Sequence, residues 1–199
     1  MKRLILASAS PRRTSILREL DVSHDVAAAD IDESKHANET PEHYALRMAR
    51  EKALCVQSRI GDDNMAVMGA DTVVSLDGVV FGKPANEAEA VAALTALGGR
   101  EHRVISALAL ACGRDLATRV VASTVRMRPI ADAEAKSYWA TGEPTDKAGG
   151  YAIQGRAAAF VESIDGSYSG IVGLPAYESL ALLATVGITP GWLSGANHG

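Results

Sequence analysis

The sequence predicts a mixed β-sheet with flanking helices, of the α/β or α+β class. Apolar, β-branched runs alternate with helix starts that carry proline in the first turn. Two long runs each continue into a further run through a short turn signal, Asp77-Gly78 and Gly113-Arg114-Asp115. Strand and helix patterns intermix along the whole chain, and no internal repeat or low-complexity linker interrupts them.

Leu4-Ile5-Leu6-Ala7 reads as a short buried strand. Ser10 is placed to cap a helix that opens at Pro11 and runs to about Leu20, with Ile16, Leu17 and Leu20 inward. Residues 24–29 read as a second strand, and an acidic loop extends from Asp30 to about Thr40. Thr40-Pro41-Glu42 starts a helix that continues to Ile60, with Lys52 on its buried side. "AVMGADTVVSL" and Val79-Val80-Phe81 form a hairpin about Asp77-Gly78. Asn86 and Glu89 carry a cap signature for a helix ending near Gly98. Residues 102–112 and 116–127 read as strands, and Asp132 as the cap of a helix through Thr141. A polar loop enters a strand at Tyr151, another strand spans 157–164, and Leu174-Pro175 opens a last helix to about Val186. The final "SGANHG" reads as frayed.

The chain has 199 residues, 47% hydrophobic and 22% charged, which suits a globular protein with a sizeable core. Only 5% is aromatic and the net charge is −4, so neither stacking platforms nor a broad basic surface for a nucleic-acid polymer is expected. A local cluster of cations can still bind a small anion. Cys55 and Cys112 form no C-x-x-C and read as two reduced thiols. The five histidines fit no metal motif. The apolar core of the first segment, Leu4 to Ala7, is four residues, whereas a signal peptide needs roughly 7–15. No signal peptide is therefore expected, and no apolar run approaches a transmembrane length.

Several positions could carry chemistry. Ser8, Ser10, Arg12 and Arg13 stand where a strand opens a helix, so they read either as a phosphate site or as a capped helix with two solvated arginines. Asp71 interrupts an apolar run. A carboxylate there must be paired, metal-bound or bonded to nearby backbone, and it could take a proton from water. Lys83, between Gly82 and Pro84, could neutralise a phosphate or be a solvated turn lysine. Glu33 could join Asp71 on a metal or stand as a loop charge. "DKAGGYAIQG", with Lys147 and Gln154, reads as a loop that closes over a ligand or as a glycine-rich hairpin. Neither a Walker A loop nor a dinucleotide fingerprint is present.

Together, "LASASPRR", "IDE", "RMAREKA", "GADTVV", "GKP", "TGEPTDKAGGYAIQG" and "GSYSGIVGLP" resemble, in this order, the Maf family of nucleoside triphosphate pyrophosphatases, from Leu4 to about Leu183. The resemblance implies one Maf-like domain over 1–199, with a frayed tail from about 188. Its fold would be α/β and two-lobed around a long mixed β-sheet with flanking helices (Maf/ITPase-like), with the active site in the cleft between the lobes. It implies a hydrolase that converts dTTP and UTP, and modified pyrimidine nucleotides, to monophosphate and pyrophosphate in a cytoplasmic house-cleaning role. A divalent cation, Mg2+ or Mn2+, and a homodimer are also implied; a membrane partner is not. The alternative is a nucleotide-binding regulator of septum formation that does not hydrolyse.

Carried over residue by residue, the resemblance makes Asp71 the base, places Glu33, Lys52 and Lys83 among the catalytic residues, and gives the metal to Glu33 and Asp71. Ser8, Arg12, Arg13, Thr72, Lys147 and Gln154 would meet the substrate. Arg12, Thr72 and Gln154 match the dTTP/UTP branch of the family. A glutamine amide offers one donor and one acceptor, complementary to N3–H and O4 of uracil or thymine. Gly149-Gly150 and Ser169-Gly170 stand where relatives often carry bulkier residues, and are expected to loosen the loop.

Overall fold

Leu4, Ile5 and Leu6 are buried in β1 (Arg3–Leu6), and Pro11 opens α1 (Pro11–Glu19), as the opening stretch predicts. The computed structural model describes residues 2–194. In chain order there follow β2 (His24–Val26), α2 (Pro41–Ile60), β3 (Met65–Leu76), β4 (Val79–Phe81), α3 (Glu87–Leu97), β5 (Glu101–Cys112) and β6 (Asp115–Met127). The chain then forms α4 (Asp132–Trp139), β7 (Val161–Asp165), α5 (Tyr168–Val172), α6 (Ala176–Thr185) and α7 (Gly191–Ser194). Seven strands make a mixed sheet in the order β2-β1-β3-β5-β6-β7, with β4 paired to β3 off that path. β1 lies parallel to β2 and β3, whereas β3–β4 and β6–β7 are antiparallel.

The chain divides into two compact units, which matches the expectation of two lobes. The first holds the residues up to Asp71, Ser106–Val121 and those from Gly173 onward; the second holds Thr72–Ile105 and Ala122–Val172. In the first unit, Leu4, Leu6, Leu17, Met48 and Met68 are fully buried or nearly so, each contributing about 1.5–3 kcal/mol relative to exposure. Gly69 lets α2 lie directly on β3. A Cβ there would fall 2.1 Å from the Ala49 carbonyl oxygen and 2.7 Å from the Ala53 amide nitrogen. In the second unit, Leu94, Leu97, Val125, Met127 and Tyr138 pack with Phe160, whose ring meets Tyr138 edge-on at 5.4 Å.

Local signals set most boundaries. Thr40 Oγ1 accepts from the His43 amide at 3.2 Å to start α2, and left-handed Gly61 ends it. Asn86 Oδ1 accepts from the Glu89 amide at 2.9 Å, and Asp77-Gly78 turns β3 into β4. Other expectations need correction. Ser10 holds the cap position of α1 without a side-chain cap bond, and its own amide donates to Ser8 Oγ at 3.2 Å. Leu20 is only half-buried, and β2 stops at Val26. α4 is capped at Ala131, not Asp132: Glu134 Oε2 accepts from the Ala131 amide at 3.2 Å, while Asp132 accepts from the Thr95 hydroxyl.

The largest difference lies between residues 148 and 165. No strand begins at Tyr151, and the strand expected from 157 begins at Val161 after 3-10 turns at Ala148–Gly150 and Arg156–Phe160. The Ala152, Arg156 and Ala157 amides bond to the side chains of Tyr138 and Glu143 rather than to a sheet neighbour. Gly149 and Gly150 do not loosen it. Both are buried with φ of +70° and +67°, and their amides donate to the Gly82 and Lys147 carbonyls at 3.0 Å. α5 is absent from the sequence reading, and the last long helix starts at Ala176. Within the tail expected to fray from about 188, Ile188 is buried and α7 is helical; residues 195–199 lie outside the described residues. Cys55 and Cys112 are both free thiols. Among the described residues no helix is long and apolar enough to cross a membrane.

Candidate active site

The close seat of α2 on β3 brings Lys52 to Asp71. Lys52 lies one position before Ala53, and Asp71 lies two positions after Gly69, so both project from the region where the two backbones meet. Lys52 Nζ donates to Asp71 Oδ1 at 2.7 Å and pairs with Glu33 Oε1 at 2.8 Å. The side chains of Lys52 and Asp71 are 10% and 13% exposed, that of Glu33 54%. The ammonium thus holds two carboxylates together, one sheltered and one facing water. This settles how a carboxylate is tolerated inside an apolar run: it is paired.

Glu33 sits in an irregular loop, yet the loop is tied on two sides. Arg47 of α2 grips Glu39 through both carboxylate oxygens, at 2.7 and 2.8 Å, and donates to the Ser34 carbonyl at 2.9 Å. Tyr44, one turn earlier, donates its hydroxyl to the Glu33 carbonyl at 2.8 Å. The Arg47 guanidinium holds the Glu39 carboxyl down to about 2. Neither Glu39 nor Tyr44 was marked by sequence reasoning. The available signal was the arginine in "RMAREKA" eight residues after an acid of the loop.

The opening motif folds into its own small network. Ser8 is 7% exposed and Arg13 9%. Ser8 Oγ accepts from Arg13 Nη1 at 2.9 Å, and Arg13 Nε donates to the Gly173 carbonyl at 2.9 Å. Burial pushes the Arg13 pKa down, the Asp71 and Glu33 carboxylates pull it back up, and Arg12 adds to the lowering. Arg13 is therefore an interior cation beside the two acidic groups, not a solvated arginine. Arg12 is half-buried next to it.

Thr72, Lys83, Lys147 and Gln154 belong to the second unit. Thr72 is half-buried on β3, and Lys83 and Gln154 are exposed. The bond from the Gly149 amide to the Gly82 carbonyl stitches the Lys83 loop to the Lys147 loop. Lys147 Nζ donates to the Glu143 carbonyl at 2.8 Å and pairs with Asp146. Glu143 and Tyr138, which sequence reasoning passed over, bond to the backbone around Gln154.

The acidic pair also bears on a metal. Among the described residues no group of three or more His, Cys, Asp or Glu side chains could hold an ion. Glu33 and Asp71 both meet the Lys52 ammonium; a hard cation of the magnesium type, which binds through one or two carboxylates and completes its shell with waters and substrate phosphates, would have to take these two as its donors.

Fold and site define a mixed-sheet α/β protein with a lysine-bridged acidic pair beside a buried arginine. A family model described as Maf-like protein matches residues 3–186, and the chain belongs to the Maf family. Among its relatives, the dTTP/UTP pyrophosphatase of Myxococcus xanthus (strain DK1622) is 48% identical over 189 residues, covering 95% of each chain. The dTTP/UTP pyrophosphatase of Aromatoleum aromaticum (strain DSM 19018 / LMG 30748 / EbN1) is 45% identical over 197 residues, covering 93% of this chain and 96% of its own. That of Hydrogenovibrio crunogenus (strain DSM 25203 / XCL-2) is 44% identical over 182 residues, covering 92% and 95%.

Proposed function

We propose that this chain hydrolyses dTTP and UTP to the monophosphate and pyrophosphate. The observation that carries the reading is the Lys52 bridge, 2.7 Å from Asp71 and 2.8 Å from Glu33. It holds a sheltered carboxylate as a proton acceptor beside a cation that offsets phosphate charge. Relatives at 44–48% identity that are named for this reaction, over more than nine-tenths of the chain, support it.

Asp71 accepts the proton of the attacking water. Lys52 keeps Asp71 oriented, and Arg13 supplies fixed positive charge behind the pair, with Ser8 holding its guanidinium. Lys83 and Lys147 are assigned to the phosphates by their charge, and Gln154, with Thr72 and Arg12, to recognition of the nucleotide. A divalent cation, Mg2+ or Mn2+, would be held by Glu33 and Asp71 and would supply charge for the phosphates and a more acidic water. Nucleotide substrates and two free thiols support a cytoplasmic setting.

The test is pyrophosphate release by the purified protein from a nucleotide panel with Mg2+ or Mn2+. dTTP and UTP should lead the panel, and Asp71→Asn should lower kcat by about 10²–10⁴-fold with little change in KM. Near-normal turnover by Asp71→Asn would remove Asp71 from the base role. Nucleotide binding without any pyrophosphate release would support a sensor instead.

A further inference from the structure

We propose that Glu143 and Tyr138 are positioning residues for base selection, acting by holding the backbone on both sides of Gln154. The inference rests on the reading above, in which Gln154 meets the base. Gln154 itself is exposed on an irregular stretch, where a side chain has no sheet or helix to aim it. Its aim must come from the backbone that carries it.

That backbone is bonded two residues before Gln154 and two and three residues after it. The Ala152 amide donates to the Tyr138 hydroxyl oxygen at 3.1 Å. The same hydroxyl donates to Glu143 Oε1 at 2.7 Å. Glu143 Oε2 accepts from the Arg156 amide at 3.2 Å, and Oε1 accepts from the Ala157 amide at 3.4 Å. One carboxylate and one phenol therefore close a bracket around the segment. Tyr138 is 4% exposed and rests edge-on against Phe160, so its end of the bracket is rigid.

Two further facts show how tightly the segment is drawn onto the carboxylate. A Cβ at Gly155, directly after Gln154, would fall 2.5 Å from each Glu143 carboxylate oxygen. Only glycine passes there without moving Glu143. The Glu143 main-chain carbonyl also accepts from Lys147 Nζ at 2.8 Å, so the same residue places a second proposed substrate contact. Burial pushes the Glu143 carboxyl up, but the Tyr138 hydroxyl and the two amides outweigh it and hold it below the usual range, so it is charged at neutral pH.

A hydrogen-bonding edge discriminates bases only if it is held in place, because a displaced amide meets the right base and the wrong one equally badly. Tyr138→Phe removes both bonds of the hydroxyl and keeps the ring on Phe160. Glu143→Gln keeps the size and replaces one acceptor oxygen with a donor group that faces backbone N–H. Steady-state kinetics with dTTP and GTP at fixed Mg2+, plus a thermal melt, give the readouts. For either variant, the KM for dTTP should rise and the dTTP-to-GTP ratio of kcat/KM should fall by about tenfold, with kcat within about twofold. In a Gln154→Ala background, Tyr138→Phe should leave that ratio unchanged, since the side chain it aims is gone.

A loss spread equally over both nucleotides would make the pair merely structural and overturn the proposal. So would an undiminished effect of Tyr138→Phe on the ratio in the Gln154→Ala background. If Glu143→Gln does not fold, Tyr138→Phe decides alone. A wild-type protein that releases no pyrophosphate refutes the parent reading and this proposal with it. An active wild type whose ratio the variants do not move refutes this proposal only.

Discussion

Mild acid should weaken the fold through His102 before the carboxylates contribute. His102 is 2% exposed in β5; its Nε2 shares a 2.8 Å hydrogen bond with the Tyr151 hydroxyl, and its Nδ1 is buried with no hydrogen-bond partner among the described residues. A charged imidazole there would lose its water and gain no counter-charge. Burial accordingly holds the pKa down from 6.5 to about 4. The unfolded chain takes up this proton near 6.5, and the folded chain only near 4. Stability from His102 is therefore full above pH 6.5 and is lost as the pH falls from 6.5 to about 4. At 1.36 kcal/mol per pH unit the whole loss is about 3 kcal/mol, with about 2–3 kcal/mol gone by pH 4.5. Glu39, held at about 2 by Arg47, gives up its contribution only below its ordinary 4.5, which leaves the higher window to histidine. The assay is urea unfolding at several pH values between 7 and 4.5, for wild type and His102→Gln. Wild-type stability should fall across that range, whereas His102→Gln, less stable at pH 7, should fall less. Parallel pH profiles would refute the argument. The result bears on activity because Tyr151 directly follows Gly150 in the loop that carries Lys147 and Gln154.

Arg13→Ala should lower the unfolding free energy by about 2–4 kcal/mol, because it removes a buried charge that bonds both Ser8 Oγ and the Gly173 carbonyl, and should reduce kcat/KM on every nucleotide. Arg12→Ala should instead change which nucleotide is preferred; the two variants compared by urea unfolding and by the nucleotide panel separate the roles. Gln154→Glu should lower kcat/KM for dTTP relative to GTP, since a carboxylate accepts from the two donors of guanine and cannot donate to O4 of thymine; an unchanged ratio would sink the assignment. Gly149→Ala should cost about 1–3 kcal/mol in a thermal melt, because φ is +70° and the new Cβ would meet Val74 at 3.0–3.1 Å. Gly142→Ala, at φ +76° with nothing within 4 Å, should cost about 1 kcal/mol from strain alone.

What the sequence made legible was whatever a few adjacent residues decide. Thr40 and Gly61 bound α2, Asp77-Gly78 makes the hairpin, and Asn86 caps α3, each through bonds that span four residues or fewer. Lys52 on a buried helix face and Asp71 inside an apolar run were each visible as anomalies. Their pairing was not, because it depends on Gly69 admitting the backbone of α2 at Ala49 and Ala53. Glu33 was visible as a loop acid that could join Asp71, but local pattern did not place it, since the loop is fixed by Arg47 and Tyr44 from the next helix. The misreading of residues 151–160 has the same origin. Tyr151-Ala152-Ile153 is apolar and looks like a strand, but its neighbouring amides are claimed by the side chains of Tyr138 and Glu143, up to fourteen residues away. A backbone donor engaged in that way has nothing left for a ladder. Loops held by distant polar side chains keep a fixed shape without regular structure. Glu33, Lys147 and Gln154 all sit on such loops, so the residues that give the site its chemistry are the ones whose placement local pattern alone could not supply.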